Sequence, residues 1–318
     1  MKVSVGIDIG GTNTVWGLID EHGTVHVEGQ IGTKDFDHPT DFVQAIATIL
    51  KGALKEHQDF ELIGIGIGAP NGNYFNGTIE HAPNLVWKGV VPLKKLFQQH
   101  FQLPIWVTND ANAAAIGEML FGVAKKMDNF VVVTLGTGLG SGFVVNGELM
   151  YGHDAFAGEL GHTIIERNGR SCGCSRKGCL ETYASATGIV RTAKERLNNY
   201  TGTSLLSQQA QLSSKSIADC AEQNDALALE IFDYTGHQLG FALANTVAIS
   251  SPQAIVLFGG LANAGALILN PTKHYMEQYM LNLFKGKVEL LISSVPEHHA
   301  AILGAGALVW KNVYGALG

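Results

Sequence analysis

A short stretch from Glu159 to Glu181 holds three of the four cysteines of this 318-residue chain. It reads Glu-Leu-Gly-His, nine further residues, and then Cys-Gly-Cys-Ser-Arg-Lys-Gly-Cys-Leu-Glu. One imidazole and three thiolates are the ligand set that suits a tetrahedral zinc ion, and a closed set of four protein ligands is typical of a structural ion. We therefore expect structural Zn²⁺ on His162, Cys172, Cys174 and Cys179.

Two other interpretations of these cysteines stay open from the residues alone: reduced thiols without a metal, and a disulfide. Cys220 stands alone in a predicted helix, which disfavours a disulfide framework. Glu159 and Glu181 bracket the metal ligands, so a loop fixed by the ion also fixes two carboxylates. These carboxylates can accept hydrogen bonds from the hydroxyls of a polyol. The alternative is that both glutamates are solvated surface residues.

The composition fits a compact α/β protein with room for two domains. Apolar residues make up 46% of the chain, charged residues make up 15%, and there are 39 glycines. The net charge is −7 without a basic run, so the sequence predicts neither a nucleic-acid nor an anionic-membrane partner. Neither a signal peptide nor a membrane span is visible, and we expect a cytoplasmic protein with reduced thiols.

An apolar run from Val3 to Ile9 ends in Gly10-Gly11-Thr12-Asn13 and continues from Thr14 to Ile19, which predicts a strand, a tight turn and a strand. The glycines let backbone amides approach a phosphate, and Asp8 at the strand end can hold Mg²⁺ through water. A plain hairpin is the alternative, because the spacing matches neither common phosphate-binding motif.

The same plan returns after residue 130 as a strand, a glycine run that contains Thr137 and Gly138, and another strand. Two copies indicate two similar halves that close on a nucleotide from opposite sides. Farther along, strand Ala254 to Phe258 ends at Gly259-Gly260, where an adenosine can lie flat against the backbone. The alternation of strands and helices predicts helices covering a mostly parallel sheet. A helix is expected over 272–284, and the polar stretch 199–215 is expected to be a loop.

The predicted strand Ile105 to Thr108 ends at Asn109-Asp110, directly before an alanine-rich helix. Polar residues beyond the carboxyl end of such a strand face the ligand crevice of an open α/β sheet, so Asp110 is a candidate general base. A helix N-cap is the equal alternative. Asn84, in Pro83-Asn84-Leu85, can bind a ligand hydroxyl or form a turn.

Four signals together resemble the ROK family of sugar kinases, especially its bacterial glucokinase-like members, from end to end. They are Asp8-Ile9-Gly10-Gly11-Thr12, Asn109-Asp110, Leu135-Gly136-Thr137-Gly138-Leu139-Gly140, and Glu159-Leu160-Gly161-His162 with the cysteines. The resemblance implies an α/β, actin-like ATPase fold of the hexokinase and ribonuclease H type, with two domains and a cleft between them. Residues 1–113 and 300–318 would form a small domain closed by the C-terminal helix, and 114–299 a large domain with the zinc site.

The activity that the resemblance implies is ATP-dependent phosphorylation of the 6-hydroxyl of glucose, with Asp110 as the base and Mg²⁺ accompanying ATP. The sugar contacts would be Asn84, Asn109, Glu159, His162 and Glu181. His162 would use one ring nitrogen for zinc and the other for the sugar. The nucleotide contacts would be Asp8, Gly10, Gly11, Thr12, Asn13, Thr137, Gly138, Gly259 and Gly260. Family members are commonly homodimers or homotetramers, which is the expectation here.

Two positions depart from the family pattern: Ser175 replaces a usual glycine, and Pro70-Asn71-Gly72 replaces the usual Pro-Gly. An N-acetylhexosamine kinase, a fructokinase and an allose kinase are alternatives within the family. A sugar-sensing transcription regulator without catalysis is the alternative of another class. Such regulators carry a helix-turn-helix ahead of the kinase-like body, and the phosphate motif here begins within eight residues of Met1. The sequence leaves the preferred hexose, and ATP or polyphosphate as donor, undecided.

Overall fold

The computed structural model describes residues 1–315, apart from the side chains of residues 297 and 298. Strands and helices alternate along the chain, as the sequence predicted. The strands are β1 (Lys2–Ile9), β2 (Asn13–Ile19), β3 (Val25–Gly32), β4 (Glu61–Gly68), β5 (Gly72–Asn73), β6 (Thr78–Glu80), β7 (Val90–Val91), β8 (Ile105–Thr108), β9 (Phe130–Leu135), β10 (Leu139–Val145), β11 (Glu148–Leu149), β12 (Ala254–Phe258) and β13 (Glu289–Ile292). The helices are α1 (Pro39–Glu56), α2 (Leu93–Gln98), α3 (Asp110–Phe121), α4 (Glu181–Ala184), α5 (Ala186–Leu197), α6 (Ser214–Glu222), α7 (Ala226–Ser250), α8 (Ala266–Tyr279) and α9 (Glu297–Tyr314).

The chain divides into two compact units. The first contains Met1–Met127, Gly142–Ala157 and the C-terminal segment from Ser294. The second contains Asp128–Ser141 and Gly158–Ser293, so the boundary passes through β10. Within the described residues, no helix is long and apolar enough to cross a membrane.

Two sheets repeat one strand order. The first runs β3-β2-β1-β4-β8, and the second runs β11-β10-β9-β12-β13. In the first sheet β1 pairs antiparallel with β2 and parallel with β4, which pairs parallel with β8. In the second sheet β12 lies parallel to both β9 and β13. The shared order confirms the internal repeat and the α/β class that the sequence predicted.

The first sheet has an isoleucine face and a glycine face, because side chains alternate along a strand. In β4 the sequence is Ile-Gly-Ile-Gly-Ile-Gly, and Ile65 and Ile67 are fully buried in the cluster that contains Phe42 of α1. On the other face a Cβ at Gly66 would overlap the carbonyl oxygen of Ala305 in α9. The glycines therefore let the backbone of α9 lie directly on the sheet.

The second unit contains two departures from the sequence expectations. Helix α8 spans Ala266–Tyr279 rather than the expected 272–284, and it carries Pro271 inside it. Gly236 and Gly240 of α7 lie against Pro271 and Thr272, so close packing of these helices fits the longer α8. The stretch 199–215 includes a 3₁₀ turn, Leu205–Gln208. Asp225, the N-cap of α7, accepts hydrogen bonds from Ser204 Oγ at 3.0 Å and Leu205 N at 2.7 Å, which ties this stretch to the unit.

We expect Gly66→Ala to destabilise the protein by about 1–3 kcal/mol or more, because the added methyl must displace the backbone of α9. Gly52→Ala is the matched control. A Cβ at Gly52, inside α1, meets nothing within 4 Å, so this change should stabilise the helix by roughly 0.5–1 kcal/mol. Urea denaturation measures both changes. Equal stability of Gly66→Ala and the wild type would contradict the close approach of α9.

Candidate active site and metal centre

The carboxyl ends of three adjacent parallel strands in the first unit carry the first group of predicted site residues. Asp8 lies opposite Gly68 in the β1–β4 register, and Gly68 lies opposite Thr108 of β8, two residues before Asp110. A Cβ built on Gly68 would lie 3.2 Å from Asp8 Oδ1 and 3.8 Å from the Cα of Asp110. Gly68 thus leaves room for two carboxylates to share this edge of the sheet.

Helix α3 begins directly behind β8, and Asn109 is its N-cap. Asn109 Oδ1 accepts a hydrogen bond from the Asn112 backbone N–H at 2.6 Å. Asp110 is the first residue of the helix, and its Oδ1 accepts from the Ala111 N–H at 2.8 Å. The capping role considered for Asp110 therefore belongs to Asn109. Asp110 keeps a solvent-accessible surface at the start of the helix.

Both carboxyl groups bind protons more tightly than free aspartates do. The pKa of Asp8 is raised from 3.8 to about 7, mainly by burial and in addition by the nearby charge of Asp110. The protein packed around Asp110 also raises the pKa of that carboxyl, while the hydrogen bond from Ala111 opposes the shift. Such perturbed carboxyl groups at one edge of a sheet are typical of functional sites.

The first glycine turn joins β1 to β2 beside the same edge. The Gly10 N–H donates to the Asn13 carbonyl at 3.0 Å, and the Thr33 N–H donates to the Thr12 carbonyl at 2.9 Å. A Cβ at Gly11 would lie 2.5 Å from the carbonyl oxygen of Asn84. This contact brings the exposed loop of Asn84 against the turn.

In the second unit, the four predicted metal ligands come together. The donor atoms of His162, Cys172, Cys174 and Cys179 all lie within 4.8 Å of one another. Cys172 Sγ lies 3.7 Å from His162 Nδ1, and the sulfurs of Cys174 and Cys179 lie 3.6 Å apart. Zn–S and Zn–N bonds of about 2.0–2.3 Å in a tetrahedron give donor separations of this size. The cysteines are all free, so the disulfide alternative fails.

The loop around these ligands depends on left-handed backbone. Gly178 has φ of 79°, and a Cβ there would overlap the Glu166 carbonyl oxygen. Ser175, one of the two departures from the family pattern named above, has φ of 69°, a conformation that costs a non-glycine residue about 1–2 kcal/mol. Asn71, the other departure, has φ of 52°, which asparagine tolerates better than most residues. Gly173, between Cys172 and Cys174, has negative φ and open space around it, so this part of the loop does not require glycine.

The two glutamates that bracket the ligands lie beside the cluster. Glu159 Oε2 is 4.0 Å from His162 Nε2, on the opposite side of the ring from the nitrogen that faces Cys172. Glu181 Oε1 accepts from the Cys172 thiol at 3.3 Å, and Glu181 Oε2 accepts from the Leu139 N–H at 3.2 Å. Glu181 therefore connects the cysteine cluster to the second glycine turn.

That turn, Gly136–Gly140, follows β9 and includes the first two residues of β10. A Cβ at Gly138 would overlap Glu181 Oε2, so a larger residue there would have to displace this carboxylate. Gly259 follows β12 with φ of 101°, and a Cβ there would lie 3.1 Å from the backbone of Leu135, which precedes the turn. Gly259-Gly260 and Thr137-Gly138 thus lie at the ends of neighbouring parallel strands.

The sequence-predicted residues fall into two groups, one in each unit. The first unit brings together Asp8, the Gly10–Asn13 turn, Asn84, Asn109 and Asp110. The second brings together the metal ligands, Glu159, Glu181 and the Thr137 and Gly259 turns. Two further residues were not predicted. Gly68 can be identified once β1 and β4 are paired, because it lies opposite Asp8. Nothing in the sequence marks Thr187, because its contact with Thr137 crosses 50 residues of chain.

We expect the stability of the ligand-free protein to fall as the pH rises from about 4 to 7, because native Asp8 holds its proton more tightly than the unfolded chain does. The effect is on the order of 4 kcal/mol at most. Asp8→Asn should remove the contribution of Asp8 and leave that of Asp110, whose pKa is also raised. Asp59→Asn, at an exposed carboxylate, should keep the whole dependence. Urea denaturation at pH 5 and pH 8 tests this; the same pH dependence in Asp8→Asn and the wild type would contradict it.

Comparison with known proteins places the chain in a family. The model of the ROK family matches residues 4–312. A glucokinase of Halalkalibacterium halodurans is 37% identical over 312 residues, which cover 96% of this chain and 94% of that protein. A xylose repressor of Bacillus subtilis is 31% identical over 96% of this chain and 76% of the repressor. The crystal structure of a ROK family glucokinase from Streptomyces griseus, in complex with glucose and AMPPNP, superposes with a TM-score of 0.81 at 31% identity. It covers 97% of this chain and 99% of that one. The chain belongs to the ROK family.

Proposed function

We propose that the protein is an ATP-dependent hexose kinase that transfers the γ-phosphoryl group of ATP to the 6-hydroxyl of glucose. The observation that carries this proposal is the pair of carboxyl groups at the ends of β1 and β8, where Asp8 and Asp110 lie on either side of Gly68. The full-length similarity to bacterial glucokinases supports the same substrate.

Asp110 would act as the general base. Its position at the start of α3 leaves a solvent-accessible carboxylate, and Asn109 rather than Asp110 caps the helix. The raised pKa of Asp110 makes this carboxylate a better proton acceptor for the sugar hydroxyl than a free aspartate. General bases of this kind contribute about 10²- to 10⁴-fold to a rate.

Asp8 would hold Mg²⁺ through a bound water. Its buried carboxylate, raised in pKa, is stabilised in the charged form by a nearby cation, so the position fits a metal-nucleotide complex. The magnesium ion would neutralise charge that develops on the phosphates. Apart from the Gly10 N–H, which donates to Asn13, the amides of the Gly10–Asn13 turn and those of Thr137-Gly138 would bind the phosphates. The Gly259-Gly260 backbone would pack against the adenosine.

The sugar would be bound by Asn84, Asn109, Glu159, His162 and Glu181. Ionised carboxylates accept hydrogen bonds only, and each offers about four lone-pair positions, so Glu181 retains capacity beyond the Leu139 N–H. His162 has one ring nitrogen toward Cys172 and the other toward Glu159, which supports a role for the second nitrogen at the sugar. The Asn109 amide nitrogen remains available while its oxygen caps α3.

The cysteine cluster would hold a structural Zn²⁺ through His162, Cys172, Cys174 and Cys179. The fit rests on the gathered donor atoms and on the chemistry of three thiols with one imidazole. Burial opposes ionisation of Cys174, but hydrogen bonds from Arg176 and from the thiols of Cys172 and Cys179 lower the pKa of its thiol, which favours the thiolate form that zinc binds. The ion would fix the loop that carries Glu159 and Glu181.

The second candidate is a regulator that binds a sugar without turnover, which the identity to xylose repressors favours. N-acetylhexosamine, fructose and allose kinases remain the alternatives within the enzyme class. These functions differ in whether ADP is released and for which sugar.

We expect purified protein with MgATP to release ADP in the presence of glucose, and more slowly with mannose, fructose, allose, N-acetylglucosamine or N-acetylmannosamine. Asp110→Asn should lower kcat by at least about 100-fold while glucose binding, measured by calorimetry, survives. Asp41→Asn, a first-turn aspartate of α1 in the same unit, is the matched control and should retain wild-type turnover. Absence of ADP release with every sugar would favour the regulator. Retained turnover in Asp110→Asn would exclude Asp110 as the general base.

We expect one zinc ion per chain by mass spectrometry, and Cys174→Ser should lose most of it and melt at a lower temperature, because structural zinc contributes directly to folding. Cys220→Ser is the control, since Cys220 is a buried cysteine of α6 outside the cluster. It should keep the full zinc content. Absence of zinc from the wild type, or full zinc content in Cys174→Ser, would contradict the proposed ligand set.

A further inference from the structure

Two consecutive carbonyl groups of the second glycine turn are held by the start of α5. The Ala186 N–H donates to the Gly136 carbonyl oxygen at 2.8 Å, and Thr187 Oγ1 donates to the Thr137 carbonyl oxygen at 2.7 Å. The N-cap of α5 is Ser185, whose hydroxyl accepts from the Gly188 N–H at 2.9 Å. The first turn of a helix thus fixes the orientation of two peptide units.

A planar trans peptide unit points its N–H in the direction opposite to its C=O. The peptide bonds of the described chain are all trans. Because the Gly136 and Thr137 carbonyls face α5, the N–H groups of Thr137 and Gly138 face away from it. Along the described chain, no protein acceptor is found for these two amides.

The next two amides of the turn differ, because each has a side-chain acceptor. Leu139 donates to Glu181 Oε2 at 3.2 Å, and Gly140 donates to Thr134 Oγ1 at 3.1 Å. The amides of Leu139 and Gly140 therefore donate to the protein. Those of Thr137 and Gly138 lie on the accessible side of the turn, where Thr137 is exposed. Consecutive N–H groups that point the same way form a concave site for an anion.

We propose that Thr187 is a positioning residue for the nucleotide: its hydroxyl orients the Thr137–Gly138 peptide so that the Gly138 N–H meets a phosphate oxygen. The inference rests on the proposed function, in which this turn binds the phosphates of ATP. Donors that are oriented before the ligand arrives lose little freedom on binding, which favours affinity. The Ala186 bond comes from the backbone and persists in any side-chain variant, so Thr187 is the contact that a mutation can remove.

Thr187→Val removes the hydroxyl and keeps the shape, and valine and threonine have similar helix propensities. We expect this variant to raise the KM for MgATP, and the Kd for a non-hydrolysable ATP analogue measured by calorimetry, roughly two- to tenfold. The KM for glucose and the melting temperature should stay at wild-type values. Thr187→Ser keeps the hydroxyl and should bind the analogue within about twofold of wild type.

Thr203→Val, at an exposed threonine of the same unit, is the matched control and should leave both KM values unchanged. Wild-type analogue affinity in Thr187→Val, equal losses for glucose and ATP, or a serine variant as weak as the valine variant would each overturn the inference. If the wild type binds the analogue but phosphorylates no sugar, the proposed function fails. The valine-to-serine comparison of analogue affinity still decides the role of Thr187. A wild type that binds no analogue overturns both.

Discussion

The proximity of two carboxyl groups at one edge of the first sheet is the constraint on which the proposed chemistry depends. Burial and mutual repulsion make such an arrangement costly, and the cost appears as the raised pKa values of Asp8 and Asp110. The arrangement follows from the parallel pairing of β1, β4 and β8, and from the absence of a side chain at Gly68. In the proposed function, a bound cation would offset the repulsion between the two carboxylates, and a substrate hydroxyl would give its proton to the base.

In the second unit, a single carboxylate connects two loops. Glu181 contacts Cys172 with one oxygen and the Leu139 amide with the other, and a Cβ at Gly138 would crowd that second oxygen. Six residues later, Thr187 fixes the neighbouring peptide of the same turn. One hydrogen-bonded assembly therefore contains the cysteine loop, α4, the start of α5 and the glycine turn. The order of the cysteine loop and the orientation of the glycine turn depend on each other.

The sequence predicted the repeated plan of strand, glycine turn and strand, because β-branched runs end at glycine turns in both halves. It did not predict the strand orders, and the first sheet is half antiparallel rather than mostly parallel. It also predicted the four ligands that the structure gathers, since their spacing and chemistry leave few other uses. It could not separate the roles of Asn109 and Asp110, because both residue types cap helices and only the hydrogen bond to Asn112 decides. The start of α8 was misplaced because proline usually begins a helix, whereas Pro271 here packs against Gly236 of α7. Thr187 was beyond prediction, since its contact depends on tertiary structure.

The identity of the reaction product tests the central claim most directly. Protein incubated with glucose and MgATP should yield glucose 6-phosphate, identified by mass spectrometry and phosphorus NMR, with one ADP formed for each phosphorylated sugar. That result is what a base at Asp110 and a phosphate site on the two glycine turns predict. Phosphorylation of another hydroxyl, or binding of glucose with no phosphorylated product, would contradict the account.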